Sequence, residues 1–159
     1  MHNKVKDSTI LVTGGAGFIG SYVIEELIPL QPKKIVIIDN FIRGTKENMK
    51  SFINNPIIEI HNADIRETDK LEACIAGCDY VFHMAALRIN ACAANPKEGF
   101  DVMLKSTFDV ADLCKKHKVK KVIYSSSASV YGLAQHFPTP ETDNPYNNRC
   151  DELATEAAD

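Results

Sequence analysis

The sequence has no apolar run near the roughly 18 to 20 residues that a membrane-spanning helix needs, and its opening Met-His-Asn-Lys-Val-Lys-Asp has no apolar signal core. These two absences lead us to expect a cytoplasmic protein that does not enter a membrane. Positive charge is also scarce: 18 Lys and Arg stand against 21 Asp and Glu, a formal net charge of -3. No basic field is therefore available to hold nucleic acid or an anionic membrane. The one dense basic run, residues 115–121, is broken by His117 and Val119 and reads as the solvated end of a helix, where cations favour the negative pole of the helix dipole. Cysteine is too sparse and scattered for a disulfide framework, with Cys74, Cys78, Cys92, Cys114 and Cys150 giving an odd number. Cys74 and Cys78 could share a helix face as a metal pair, but position 81 is Val and no second pair follows at zinc-site spacing. They read instead as small buried hydrophobes, with no metal expected.

What is present is enough for one globular domain: 45% hydrophobic and 25% charged residues. Short apolar runs rich in β-branched and aromatic residues recur at 9–13, 34–39, 57–60, 80–83 and 121–125, and read as strands. Helical periodicity lies between them. The clearest stripe, Ile19, Val23, Ile24, Leu27 and Ile28, predicts a helix over 19–30; others cover 46–53, 66–76 and 97–118, the last with Phe100, Leu104, Phe108, Ala111 and Leu113. Strands apolar on both faces and alternating with helices imply a parallel sheet covered on both sides, a doubly wound α/β fold. No repeat or low-complexity tract is visible. Residues 135–148, rich in Pro, Asn, Asp and Thr, read as a loop, and 151–159 as a short acidic tail.

The first strand runs directly into Thr13-Gly14-Gly15-Ala16-Gly17-Phe18-Ile19-Gly20, after which the first helical stripe begins. A glycine-rich loop at a strand-to-helix junction is the context a dinucleotide site requires. Glycine permits strained turn angles and close backbone approach to a pyrophosphate, and the helix's free N–H groups hold the phosphates. Taken alone the motif could be a tight structural turn, but strand, loop, helix, second strand and acid follow in order. That acid is Asp39, 19 residues beyond Gly20, close to the spacing of about 20 at which a carboxylate meets the adenine ribose. A carboxylate there accepts from ribose hydroxyls and repels a 2′-phosphate, which favours NAD over NADP. Arg43 could pair with a phosphate, but Asp39 would still face that phosphate's charge.

With these residues placed, the sequence resembles the extended short-chain dehydrogenase/reductase family, in particular its NAD-dependent epimerase/dehydratase branch. The likeness runs from about Ser8 to Arg149 and is carried by residues 13–20, Asp39-Asn40, Asp64-Ile65-Arg66, His83-Met84-Ala85-Ala86, residues 125–132 and Asn144-Pro145-Tyr146. It implies a Rossmann-type sheet binding NAD, with Asp64 and Ile65 bordering the adenine and the Asp64 carboxylate accepting from its amino group. Met84, Ala85 and Ala86 would lie along the ribose and phosphates, and Arg88 falls where some relatives place a lysine near cofactor or substrate. The sequence departs from the family at Met103, where an Asn is frequent on the cofactor side.

The resemblance also implies a reaction: a nucleotide-sugar hydroxyl loses hydride to NAD, while a Ser after the fifth strand hydrogen-bonds it and a Tyr of Tyr-x-x-x-Lys removes its proton. Ser127 matches that Ser. Tyr22, Tyr80, Tyr124, Tyr131 and Tyr146 are followed at the fourth position by Glu26, Met84, Ala128, Gln135 and Cys150, so none has its lysine. A free Tyr has a pKa of about 10 and yields little phenolate at neutral pH. We therefore expect a Rossmann domain over residues 1–149, truncated after about the fifth strand, a divergent tail over 150–159, no C-terminal substrate lobe, and no turnover by this chain alone. A nucleotide-sugar would be the substrate of the full-length parent. Two other readings stand beside that one: a standalone NAD-binding regulatory module, and an interaction subunit or homo-oligomer whose apolar surface is covered by another chain.

Overall fold

The computed structural model describes residues 5–127. The chain divides into two compact units, Met1–Ser125 and Ser126–Asp159, and every element below lies in the first. The sequence-based boundary at residue 149 and the tail lie outside the described residues, as does Asn144-Pro145-Tyr146.

Five strands form at β1 (Thr9–Thr13), β2 (Lys34–Asp39), β3 (Ile58–Asn62), β4 (Tyr80–His83) and β5 (Lys121–Tyr124). They make one parallel sheet of order β3-β2-β1-β4-β5. The strands are β-branched runs because both faces are covered, and alternate residues serve opposite sides. Ile10, Val12, Ile35 and Ile37 face a core closed by Ile24 and Leu27 of α1 (Phe18–Leu27) and by Met49 and Phe52. Leu11, Val36, Ile38 and Val81 face the other, closed by Leu71, Cys74 and Ile75 of α2 (Thr68–Ile75) and by Val110, Leu113 and Cys114 of α5 (Ser106–Lys116).

Cys74, Cys78 and Cys114 are free and buried in that second core. Burial pushes the Cys78 thiol up to about 12 and Cys114 to about 11, as a thiolate without water or a cation demands. Among the described residues no cluster of His, Cys, Asp or Glu is placed to hold a metal, and no helix is long and apolar enough to cross a membrane.

Three helical expectations change. Residues 46–53 form no α-helix but a 3₁₀ turn, Glu47–Met49, followed by further turns, because i→i+3 bonds tighten the segment and drop Met49 and Phe52 into the core. A helix that the stripes did not predict, α3 (Ile89–Ala94), precedes the long helical region. Asn95 breaks the two apart: its side chain accepts the Glu98 N–H, and Pro96 opens α4 (Pro96–Gly99) at the position where its missing donor costs nothing. Finally, the stripe Phe100, Leu104 and Phe108 is exposed (55%, 60% and 68%), whereas Val102, Ser106, Val110 and Leu113 are buried. The cause is a π-helical turn, Phe100–Lys105, whose i→i+5 spacing rotates the following helix away from a 3.6-residue register.

Candidate functional site

At the carboxyl end of the sheet β1 and β4 lie side by side, Thr13 opposite His83. From β1 the chain turns toward β2 and β3, and β4 pairs on its other side with β5, so the strand order reverses between them. Such a switch point opens a crevice because the connecting segments depart to opposite faces. A cleft of about 620 Å³ occupies it, within the usual range for small-molecule sites.

The glycines of the β1–α1 loop shape one wall. Gly14 has a φ of +67°, and a Cβ on it would stand 2.8 Å from the Ala85 backbone; a Cβ on Gly20 would lie 2.3 Å from the Gly14 carbonyl oxygen. Only glycine lets the two loops and the helix approach so closely. Gly17 caps α1 with no side-chain acceptor and no acid follows in the first turn, which leaves the amides at the positive end of the helix dipole to an external anion.

Gly14, Gly17, Phe18, Ile19, Gly20, Asp39, Asn40, Asp64, Ile65, Met84, Ala85 and Ala86 line the cleft. Gly15 and Ala16 stand behind its wall. A Cβ on Gly15 would meet Ile37 at 2.8 Å and Ile24 at 3.0 Å, and the fully buried Ala16 spends its polar groups on structure. Its N–H donates to Asp39 Oδ2 (2.9 Å), and its carbonyl accepts from Thr45 N (3.1 Å) and Asn48 Nδ2 (2.8 Å). Asp39 Oδ1 accepts from Phe41 N (2.8 Å), which holds Phe41 at a φ of +56°. The acid expected to meet a ribose thus also ties its own strand to the phosphate loop, and each oxygen keeps a second lone pair.

Asp64 lines the cleft beside Arg66. Its Oδ1 accepts from Arg66 N and Nε (2.9 Å each), and its Oδ2 from Arg66 Nη2 and Asn40 Nδ2 (2.8 Å each). Four donors thus meet about four lone-pair sites. The Arg66 hydrogen bonds, with smaller help from Asn40, hold this carboxyl at about 2 against the opposing effect of burial. Arg66 stood in the same three-residue segment, but sequence does not show which way a side chain turns. Arg66 Nη1 also reaches Glu98 Oε1 at 3.5 Å. Arg43, Asn48, Arg66, Arg88 and Glu98 complete the polar lining; Asn48 and Glu98 carried no sequence signal.

The opposite wall is the segment after β4. Thr13 Oγ1 accepts from Met84 N (3.1 Å) and Ala85 N (3.2 Å), and lies 2.7 Å from His83 Nδ1. His83 Nε2 lies 3.1 Å from Thr107 Oγ1, which donates to Met103 O at 2.8 Å. Met103, where relatives often have Asn, accepts the Leu87 N–H on its sulfur at 3.1 Å. His83 is 2% exposed. Burial pulls its pKa down to about 4, and it stacks on Tyr124 with centroids 5.6 Å apart. Ser127 belongs to the second unit.

The profile of the NAD dependent epimerase/dehydratase family matches residues 10–151. The chain belongs to this family. A UDP-glucose 4-epimerase of Cyamopsis tetragonoloba is 34% identical over 157 residues, covering 89% of this chain and 44% of its own. UDP-glucuronic acid decarboxylase 3 of Arabidopsis thaliana is 30% identical over 140 residues, covering 84% and 37%. Among solved structures, the UDP-N-acetylglucosamine 4-epimerase of Methanobrevibacter ruminantium M1, in complex with UDP-N-acetylmuramic acid, superposes with a TM-score of 0.78. It is 33% identical, over 96% of this chain and 50% of its own. The UDP-glucose 4-epimerase of Bifidobacterium longum, in complex with NAD+ and UDP, gives 0.72 at 29% identity, over 94% and 50%. This member of the epimerase/dehydratase family therefore spans half or less of the length of these relatives, and its parallel sheet is the Rossmann-like part.

Proposed function

We propose that this chain is the NAD-binding portion of a nucleotide-sugar epimerase/dehydratase that oxidises a sugar hydroxyl by hydride transfer. One observation carries the reading: a glycine-walled cleft at the sheet's switch point, with the amino end of α1 at one side and the buried Asp39 carboxylate on its lining. In this reading the first-turn amides of α1 hold the diphosphate, Asp39 accepts from the adenine ribose, and the backbone of Met84, Ala85 and Ala86 borders the remainder. Ile65 and Asn40 flank the adenine end, where the Asp64 carboxylate stays with Arg66. NAD, when bound, supplies the hydride acceptor. Ser127 hydrogen-bonds the reacting hydroxyl. No Tyr in the 159 residues is followed four positions on by Lys, so no phenolate is stabilised to take the proton, and the chain alone does not turn over.

Calorimetry tests both halves of the reading. NAD+ binds, and NADP+ binds about tenfold or more weakly, the weight of one opposed charge contact of about 1.4 kcal/mol. Absence of heat with NAD+ would sink the reading; equal affinity for both would remove Asp39 as the discriminating group. Epimerase or dehydratase turnover above that of Ser127→Ala would refute the inactivity.

A further inference from the structure

The polar groups between the two cleft walls, with Thr13 and His83 buried and Thr107 half-buried, form a single chain of donors and acceptors. The Thr13 hydroxyl oxygen accepts the Ala85 N–H and shares the Met84 N–H with the Thr13 carbonyl oxygen, at 3.1 Å each. With donors on that side of the oxygen, its one hydrogen is directed at His83 Nδ1, 2.7 Å away. A ring nitrogen that accepts carries no proton, so the neutral ring keeps its hydrogen on Nε2, which donates to Thr107 Oγ1 at 3.1 Å. Thr107 in turn gives its hydrogen to Met103 O. Apart from the shared Met84 N–H, each donor of the chain has one acceptor, and the bonds run in one direction from Thr13 to Met103.

We propose that His83, as the neutral Nε2–H tautomer, is a positioning residue that ties Thr13 to Thr107 and so sets the Met84–Ala85 backbone against Gly14 at the width the cofactor requires. The inference rests on the NAD-binding reading above and names a residue that acts through others, since neither Thr13 nor His83 lines the cleft.

Three observations converge on it. The segment after β4 hangs from two points, Thr13 for the Met84 and Ala85 amides and Met103 for the Leu87 amide. His83 joins those two hangers. The segment also approaches Gly14 to within the space of one methyl group, so a small displacement of Ala85 changes the phosphate loop directly. A protonated ring would present a second N–H to a hydroxyl that already accepts from Met84 and Ala85, and burial keeps the ring neutral down to about pH 4.

The test uses substitutions that keep one end of the relay at a time. Asn at position 83 puts its carbonyl near the Nδ1 position and keeps the Thr13 bond, whereas Gln reaches toward the Nε2 position and keeps only Thr107. Each variant cuts the tie at one end, so His83→Asn and His83→Gln should both weaken NAD+ affinity about tenfold or more. Affinity within about threefold of wild type in either, at matched folded fractions, would overturn the proposal. Should a position 83 variant fail to fold, Thr13→Ser and Thr13→Val supply a second contrast, since Ser keeps the hydroxyl and Val keeps the shape; parity between them overturns the proposal as well. Nitrogen-15 spectra of the His83 ring in the ligand-free protein give an independent readout: Nδ1 unprotonated and Nε2 protonated are expected, and the reverse tautomer excludes the relay. If wild type bound no NAD+, the cofactor reading and this proposal would fall together, whereas a binding wild type with an unweakened position 83 variant, or with parity between Thr13→Ser and Thr13→Val, sinks the relay alone.

Discussion

The two walls of the cleft are built by different means. The β1–α1 wall is made of backbone: glycines that exclude Cβ atoms and amides at a helix end. The wall after β4 is ordinary backbone hung from side chains, the buried Thr13 and His83 and the half-buried Thr107 and Met103. A wall of the first kind tolerates no added atom, because what an added methyl meets is main chain that cannot rotate away. A wall of the second kind tolerates volume changes but not the loss of a donor or an acceptor. Substitution should therefore separate them by type of damage as well as by size.

The largest effect is expected at Gly20. Gly20→Ala drives a Cβ to 2.3 Å from the Gly14 carbonyl oxygen and 2.8 Å from Gly15 Cα, costing about 3 kcal/mol of stability and abolishing NAD+ binding. Gly77→Ala is the comparator: at a φ of +80° with nothing within 4 Å, it meets only backbone strain of about 1 kcal/mol. Urea midpoints measure both, and similar losses at the two positions would mean that crowding in the loop is relieved by movement.

The second wall carries a pH signature. His83 has a folded pKa of about 4 against an ordinary 6.5, so between those values the unfolded chain binds a proton that the folded chain refuses. Acidification then favours unfolding, and stability falls as pH drops from about 6.5 toward 4 and levels off below. The slope is at most about 1.4 kcal/mol per pH unit, and the full loss is about 3 kcal/mol. The Asp64 carboxyl, held near 2, loses its contribution only below about pH 4, outside most of that window. Denaturant melts of wild type and His83→Asn between pH 6.5 and 5 isolate the term: the difference in stability should shrink as pH falls. A constant difference would mean that the ring takes up its proton in the folded state.

The same division explains what the sequence made legible. β1, β2 and β4 begin and end where their apolar runs do, because strands covered on both faces are apolar without interruption and turn residues bound them. Residues 13–20 stood out through glycine spacing and Asp39 through its distance from Gly20, and the loop and the acid meet at the cleft. The wall after β4 was nearly silent. His83, Met84 and Ala85 entered through family resemblance, and no local pattern indicates that Thr13 and Thr107, 94 positions apart in the sequence, share a histidine. Periodicity also misled at Phe100, Leu104 and Phe108, since a π-turn shifts the helical phase with no residue type to mark it. The bonds that Arg66 and Asn40 make to the Asp64 oxygens were silent too, because spacing does not show which way a side chain turns.

The smallest expected effect probes the outer hanger, Met103. A thioether is a weak acceptor, so Met103→Leu, which nearly conserves volume, should cost only about 0.5 to 1 kcal/mol. The local consequence is larger than the global one: the Leu87 N–H loses its partner, and its amide exchange should quicken while that of Met84 and Ala85, held by Thr13, stays slow. Met103→Asn introduces the residue frequent in the family and supplies a carbonyl acceptor, so Leu87 protection should persist. Quickening of all three amides in Met103→Leu would show that the segment swings as one body on both hangers. Unchanged exchange at Leu87 would show that its protection comes from packing against the α5 side of the core, where Met103 and Leu87 meet the same buried cluster.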